Sequence, residues 1–130
     1  MADLTISPVS VSLSGAEITK GSFAGKSNII ITPTTAQSSL NFEDLFIVIE
    51  NSGASSACTV TVKAGDDYSE VGIGDAASVT IASATTKVIG GKKLESARFK
   101  NKNGYLNLDI TSTATCYVYA VMNPFTVLNP

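Results

Sequence analysis

The stretch from Leu45 to Gly65, LFIVIENSGASSACTVTVKAG, joins two apolar runs through a cluster of turn formers. Leu45, Ile47 and Ile49 fall on one face of an extended strand, and Phe46 and Val48 fall on the other. Asn51-Ser52-Gly53-Ala54-Ser55-Ser56 interrupts the pattern with residues that favour turns. Beyond it, Cys58, Val60 and Val62 alternate with Thr59, Thr61 and Lys63, the period of a strand covered on one face. A strand apolar on both faces followed by a strand apolar on one predicts a hairpin at the heart of a β-sandwich or small barrel.

Outward from this stretch the same signals recur. Leu4-Thr5-Ile6 and Val9 to Leu13 alternate around Pro8, which suits an edge strand or an arm rather than a central ladder. Gly15 to Gly25 reads as a loop, NIIIT (Asn28 to Thr32) as a compact strand, and Thr34 to Leu40 as a polar excursion. SVTIA (Ser78 to Ala82) and TKVI (Thr86 to Ile89) are two further strands. LESARFK (Leu94 to Lys100) alternates with Ala97 and Phe99 inward, although its residues also favour helix. Asn101 to Gly104 carries the strongest tight-turn signal, because Asn-Gly adopts positive φ readily. Leu106, Leu108 and Ile110 then point one way, and TCYVYAVM (Thr115 to Met122) places Cys116, Val118 and Ala120 inward with Tyr117 and Tyr119 outward. The expected fold is all-β, a β-sandwich or small β-barrel of about eight to nine short antiparallel strands. Residues 1–25 form an N-terminal arm or edge strands, 26–123 the β-sandwich domain, and 124–130 a C-terminal tail.

Composition narrows the function. A chain of 130 residues and 13.4 kDa fits one domain whose core needs no metal or disulfide staple. Charged residues make up only 15%, against about 25% in an average protein. Hydroxyls keep such a surface soluble, and few ions need desolvating when it meets another protein. A net charge of −2 and a pI near 4.9 disfavour nucleic acid, whose binding faces need a positive excess; Lys92 to Lys102 is the one basic cluster. Met1-Ala2-Asp3-Leu4 lacks a basic n-region and an apolar h-region, and no apolar run approaches ~18 residues. The expectation is a chain made in a cytoplasm, without a membrane partner. Cys58 and Cys116 are expected as two reduced core thiols rather than a disulfide.

Catalytic equipment is not visible. The chain has no histidine, which removes Ser-His-Asp and Cys-His arrangements and the commonest general base. Asp66, Asp67, Glu70 and Asp75 read as a solvated loop rather than a calcium site, since the Asp-x-Asp-x-Asp-Gly spacing is missing. Gly72-x-Gly74 lacks the third glycine and following helix of a dinucleotide site, and Gly90-Gly91-Lys92-Lys93 is not a P-loop. No catalytic, cofactor or metal-binding residue is assigned. The outward pair Tyr117 and Tyr119 marks a protein interface, a sugar platform, or a face covered by a loop or terminus. With no Trp in the chain, the sugar platform is the weaker of these.

FEDLFIVIENSGASSACTVTVKAGD, SVTIASATTKVIGG, LESARFKNKNGYLNLDI and TCYVYAVMNP occur in this order and resemble small accessory proteins encoded among tailed-phage structural genes. In those proteins a strand ending I-E-N precedes T-V-T-V-K-A-G. A T-K-V-I strand, an L-E-S-x-R-F-K-N segment, an Asn/Gly turn and a closing A-V strand follow. The resemblance covers roughly Asn41 to Pro124, with the tail beyond Pro124 longer than the family pattern. It implies a head decoration, or cement, protein on the virion. Such a protein is not an enzyme; it binds the major capsid protein and copies of itself as a homo-oligomer. The alternative is a tail or baseplate adhesion module that binds a host-surface glycan. Both termini are candidate attachment elements. Phe125, Val127 and Leu128 form an apolar tail that either adds to a neighbouring copy or folds back on its own sandwich. Tyr117, Tyr119, Phe125, Val127 and Leu128 are therefore the candidate interface residues.

One face of the alternating strands supplies the core, namely Ile47, Ile49, Val60, Val62, Leu106, Leu108, Val118 and Ala120. Leu108→Ala is expected to lower the unfolding free energy by about 2–5 kcal/mol in urea titration. A change within error would mean that the strand register is off by one residue.

Overall fold

The computed structural model describes residues 2–11, 13–33, 42–53, 56–64, 78–90, 99–100, 104–111 and 115–122. Among them run ten strands: β1 (Ala2–Ile6), β2 (Val9–Ser10), β3 (Gly21–Ser22), β4 (Lys26–Ile31), β5 (Leu45–Asn51), β6 (Cys58–Val62), β7 (Val79–Ile81), β8 (Thr85–Gly90), β9 (Leu106–Ile110) and β10 (Cys116–Met122). A short 3-10 turn, Phe42–Asp44, leads into β5. The first sheet has the order β1-β4-β9-β6-β7. The second has the order β2-β10-β5-β8, with β3 also pairing with β10. The architecture is an all-β sandwich of two open sheets, not a closed barrel.

Two findings differ from the sequence expectation. The first concerns strand direction. The sheets are mixed, because β1 pairs with β4 and β2 with β10 in parallel. Both parallel strands come from one extended N-terminal stretch. At Ser7-Pro8 it leaves the edge of the first sheet for the edge of the second, and Pro8 has no N–H to donate to a ladder.

The second is that β5 and β6 do not form a hairpin. β5 lies between β10 and β8 in the second sheet, and β6 lies between β9 and β7 in the first. The chain after Asn51 therefore crosses the sandwich instead of turning back within one sheet. The crossing brings the inward faces of the two strands opposite each other. Leu45, Ile47 and Ile49 then close over Val60 and Val62, which in-plane pairing would have set side by side in one sheet.

Asn51 holds this crossing together. It is 2% exposed and sits at the end of β5. Its Nδ2 donates to the carbonyls of Ser56 (2.7 Å) and Ile81 (3.2 Å). Its Oδ1 accepts from the Gly53 N–H (3.0 Å) and the Thr115 hydroxyl (2.9 Å). One amide thus uses both donor protons and both acceptor positions, tying the end of β5 to the approach to β6, the end of β7 and the start of β10. Gly53 is packed so closely that an added Cβ would lie 2.7 Å from the Thr115 hydroxyl oxygen. A second crossing, from β7 to β8, passes Ala84 at φ 55, and the Ala84 N–H donates to the Gly53 carbonyl at 2.9 Å. The two crossings are thereby bonded to each other.

All eight residues expected in the core are buried at 4% exposure or less. Ile29, Ile31 and Ile81 extend the core along β4 and β7. Phe23 and Phe42 complete it from outside the strands, and each is fully buried. Each such side chain contributes about 1.5–3 kcal/mol relative to exposure. Phe99 is buried as expected but helical rather than extended, in keeping with the helix-favouring composition of its segment, and Lys100 makes a single antiparallel bridge with Leu106. Gly104 has φ 83, the positive value anticipated for the Asn-Gly turn. Ala97, the acidic stretch from Asp66 to Asp75 and the Thr34 to Leu40 excursion lie outside the described residues.

Asn51→Ala removes four hydrogen bonds and leaves buried partners unsatisfied. The expected loss in unfolding free energy is about 2–4 kcal/mol. Ser52→Ala, at an exposed neighbouring position, is expected to change it by no more than about 1 kcal/mol. Equal effects at the two positions in urea titrations would show that Asn51 has no special part in the crossing.

Candidate protein-interaction face

The two sheets present different outer faces to solvent. On the first sheet, outward positions carry Asp3, Thr5, Asn28, Asn107, Asp109, Thr59, Thr61 and Thr80, with Ile30 the apolar member. Several polar side chains on this face are paired. Thr59 and Thr111 hydroxyls lie 2.6 Å apart, Thr61 and Ser78 hydroxyls 2.6 Å apart, and Lys63 Nζ is 3.4 Å from Asp109. Alternation sends the β-branched threonines outward, where they favour strand geometry without adding apolar surface.

The outer face of the second sheet is apolar at its centre. Register places Val48 beside Tyr119 on β10 and beside Val88 on β8. The next row sets Phe46 between Val121 and Gly90, with Val9 flanking Val121. Val88 is 61% exposed and Phe46 37%, while Val48, Tyr119 and Val121 are half-buried. Gly90 permits the close approach of β8 to β5, since a Cβ there would lie 2.3 Å from the Leu45 carbonyl oxygen. One end of the face is polar. Tyr117 pairs there with Glu50 and Ser22, and Lys20 Nζ meets the Glu50 carboxylate at 2.6 Å. The Glu50 carboxylate, hydrogen-bonded to Lys20, holds this ammonium above the ordinary lysine value, with smaller contributions from Tyr119 and Tyr117.

Tyr117 and Tyr119 point outward as expected and share this face; Phe125, Val127 and Leu128 lie outside the described residues. The tyrosines stand out in the sequence, whereas Phe46, Val48 and Val88 do not. Their one signal is a strand apolar on both faces, a pattern that a strand covered on both sides produces equally. The edge of the face is protected. Lys87 pairs with Ile49, so a charge occupies an inward-directed position on edge strand β8 and opposes extension of the sheet by another strand.

A cleft of about 400 Å3 opens beside β1 and β2, lined by Leu4, Ile6, Pro8 and Val9 with Glu17 and Lys20 at its polar side. Lys20 is already paired with Glu50. Among the described residues no cluster of three or more His, Cys, Asp or Glu side chains could hold a metal ion. No helix among them is long and apolar enough to cross a membrane.

The two cysteine thiols lie in the core. Cys58 on β6 and Cys116 on β10 are free thiols, 1% and 0% exposed, with their sulfurs 2.7 Å apart across the two sheets. Burial, followed by the hydrogen bond and the proximity of Cys116, pushes the Cys58 thiol up to about 12. At neutral pH it is a protonated, apolar core group rather than an attacking thiolate.

No protein-family model, curated protein or solved structure matches this chain. The face just described, and not a relative, must therefore carry the functional argument.

The raised thiol value has a consequence at alkaline pH. The unfolded thiol loses its proton near 9.0, before the folded one near 12, so its stabilising effect is complete below pH 9 and is lost as pH rises towards 12. Urea titrations in reductant at pH 7, 9 and 10.5 are expected to show a decline of up to about 1.4 kcal/mol per pH unit from this group. Cys58→Ala should show a shallower decline. Parallel declines in the two proteins would show that Cys58 titrates alike folded and unfolded.

Proposed function

We propose that this protein is a structural, non-catalytic binding module that decorates the outside of a tailed-phage capsid. In this reading it contacts the major capsid protein and its own copies through the outer face of the second sheet. The observation that carries the proposal is the contrast between the two outer faces. A monomer content with solvent on both sides would place threonines and asparagines on each, as the first sheet does. The second instead exposes Phe46 and Val88 around half-buried Val48, Tyr119 and Val121. Such a patch, rimmed by Tyr117, Glu50 and Lys20, has the anatomy of a protein contact with an apolar centre and a polar margin. The low charge of the whole chain and the motif resemblance to head accessory proteins point the same way.

The mechanism is thermodynamic. A module that binds the assembled lattice, and not free subunits, stabilises the lattice by mass action. Repetition over a symmetric shell makes a modest affinity per copy effective, more so where neighbouring copies touch. The tail with Phe125, Val127 and Leu128 follows β10 directly in sequence, after Val121 and Met122. The flat aliphatic centre suits a protein surface better than a glycan, which calls for converging polar groups around an aromatic plate.

Co-sedimentation with expanded phage shells tests the proposal. Wild-type protein is expected to pellet with shells, and Phe46→Glu and Val88→Glu each to weaken binding by at least about tenfold. Their melting temperatures should stay within a few degrees of wild type, because both side chains already meet water. Unchanged binding by both variants would remove this face from the contact. Binding of the wild type to cells or glycans but not to shells would replace the decoration reading with the adhesion one.

A further inference from the structure

The thiol pair lies in an arrangement that a space-filling role does not require. Cys58 is the first residue of β6 in the first sheet, and Cys116 is the first residue of β10 in the second. Valine or alanine would fill either place, as at Val60, Val118 and Ala120 further along the same strands. Instead the chain's two cysteine sulfurs, 58 residues apart in sequence, face each other with 2.7 Å between them. Their backbones belong to different sheets, so a covalent link here would tie the two layers directly. Bringing sulfurs already in contact to the length of a disulfide bond takes a sub-ångström movement.

We propose that Cys58 and Cys116 are a latent inter-sheet disulfide, open as the chain is made and closed by exchange with a small-molecule disulfide. The electron balance is complete with that oxidant. One protein thiol, as thiolate, attacks the small disulfide and releases one small thiol, leaving a mixed disulfide on the protein. The second protein thiol then attacks the protein sulfur of that mixed disulfide. The Cys58–Cys116 bond forms, and a second small thiol leaves. Two protein thiols are oxidised by two electrons, the S–S bond of the reagent is reduced, and both protons end on the released thiols.

The same structure sets the rate. Both sulfurs are sealed from solvent, and the thiolate fraction of Cys58 at neutral pH is very small. The reagent therefore reacts through a local opening. The pair lies at the end of the sandwich held by Asn51, where β5 ends beside the start of β10 and the chain enters β6. Fraying of these strand ends exposes both cysteines without melting the sheets. The bridge is thus slow to form and, once formed, resists the unfolding that would separate the sheets. The inference holds whatever the outer face binds.

Full-length protein, purified in reductant and then freed of it, provides the test. It is incubated with oxidised glutathione at pH 7.5, with and without a low, non-denaturing urea concentration, then alkylated in denaturant and weighed intact. The expected product is two hydrogens lighter than the reduced chain and takes up no alkylating agent; urea hastens its appearance without altering it. In redox buffers of set glutathione ratio, the folded chain should close the bridge on the order of 1,000-fold more readily than the chain in denaturant. The bridged protein should melt roughly 10 °C above the reduced form, and dithiothreitol should reverse the shift. Two alkylated thiols after prolonged incubation, a product carrying glutathione, or a bridged protein that melts no higher than the reduced one would each overturn the inference.

Discussion

Seven consecutive residue pairs join Leu45–Asn51 to Cys116–Met122, and the remaining structure depends on this ladder. Along it every inward side chain is apolar except Asn51, and every outward one belongs to the candidate interaction face. β8 extends the ladder on one side, while β2 and β3 share the opposite edge of β10. The first sheet is laid against it by chain segments that cross the core after β5, β7 and β9. Asn51, at one end of the ladder, satisfies those crossings with a single side-chain amide. A polar residue at 2% exposure is tolerated there because its amide uses both donor protons and both acceptor positions, two of them on the buried Gly53 N–H and Ile81 carbonyl.

Crossing between sheets, rather than turning within one, governs what the two faces become. A strand that changes sheet still directs its alternate residues to the common core, so each crossing preserves the inner pattern. The outer residues then join whichever sheet the strand enters. β6, β7 and β9 carry threonine, asparagine and aspartate into the outer face of the first sheet. β5, β8 and β10 carry phenylalanine, valine and tyrosine into that of the second. The division into a polar outer face and an apolar one is therefore a result of topology acting on ordinary strand sequences.

The thiol pair follows from the same arrangement. Cys58 and Cys116 begin strands that neither pair nor lie in the same sheet, and they meet because both strands start at the Asn51 end of the sandwich. In a protein assembled in a reducing compartment they behave as two small apolar side chains. Exposure to an oxidising medium changes the chemistry available to them without any change in fold.

Most strand positions and the inward residues were legible in the chain itself, because period-2 alternation is a local property. Leu106, Leu108 and Val118 alternate with polar or aromatic neighbours and are buried. Pro8 marked the edges, and Asn103-Gly104 marked a turn. Tyr117 and Tyr119 were legible as outward residues for the same reason. Strand partners were not legible. β5 followed by a turn cluster and β6 has the appearance of a hairpin, yet the two strands stand in opposite sheets. Backbone hydrogen bonds are the same for any partner, and inward alternation is satisfied equally by a hairpin and by a crossing. The partner of β5 lies tens of residues away in β10, and the hydrogen bonds of Asn51 exist only once four separate segments converge. Only the tertiary structure, by closing one core between two sheets, decided which strands pair, which outer face stays apolar and which two sulfurs meet.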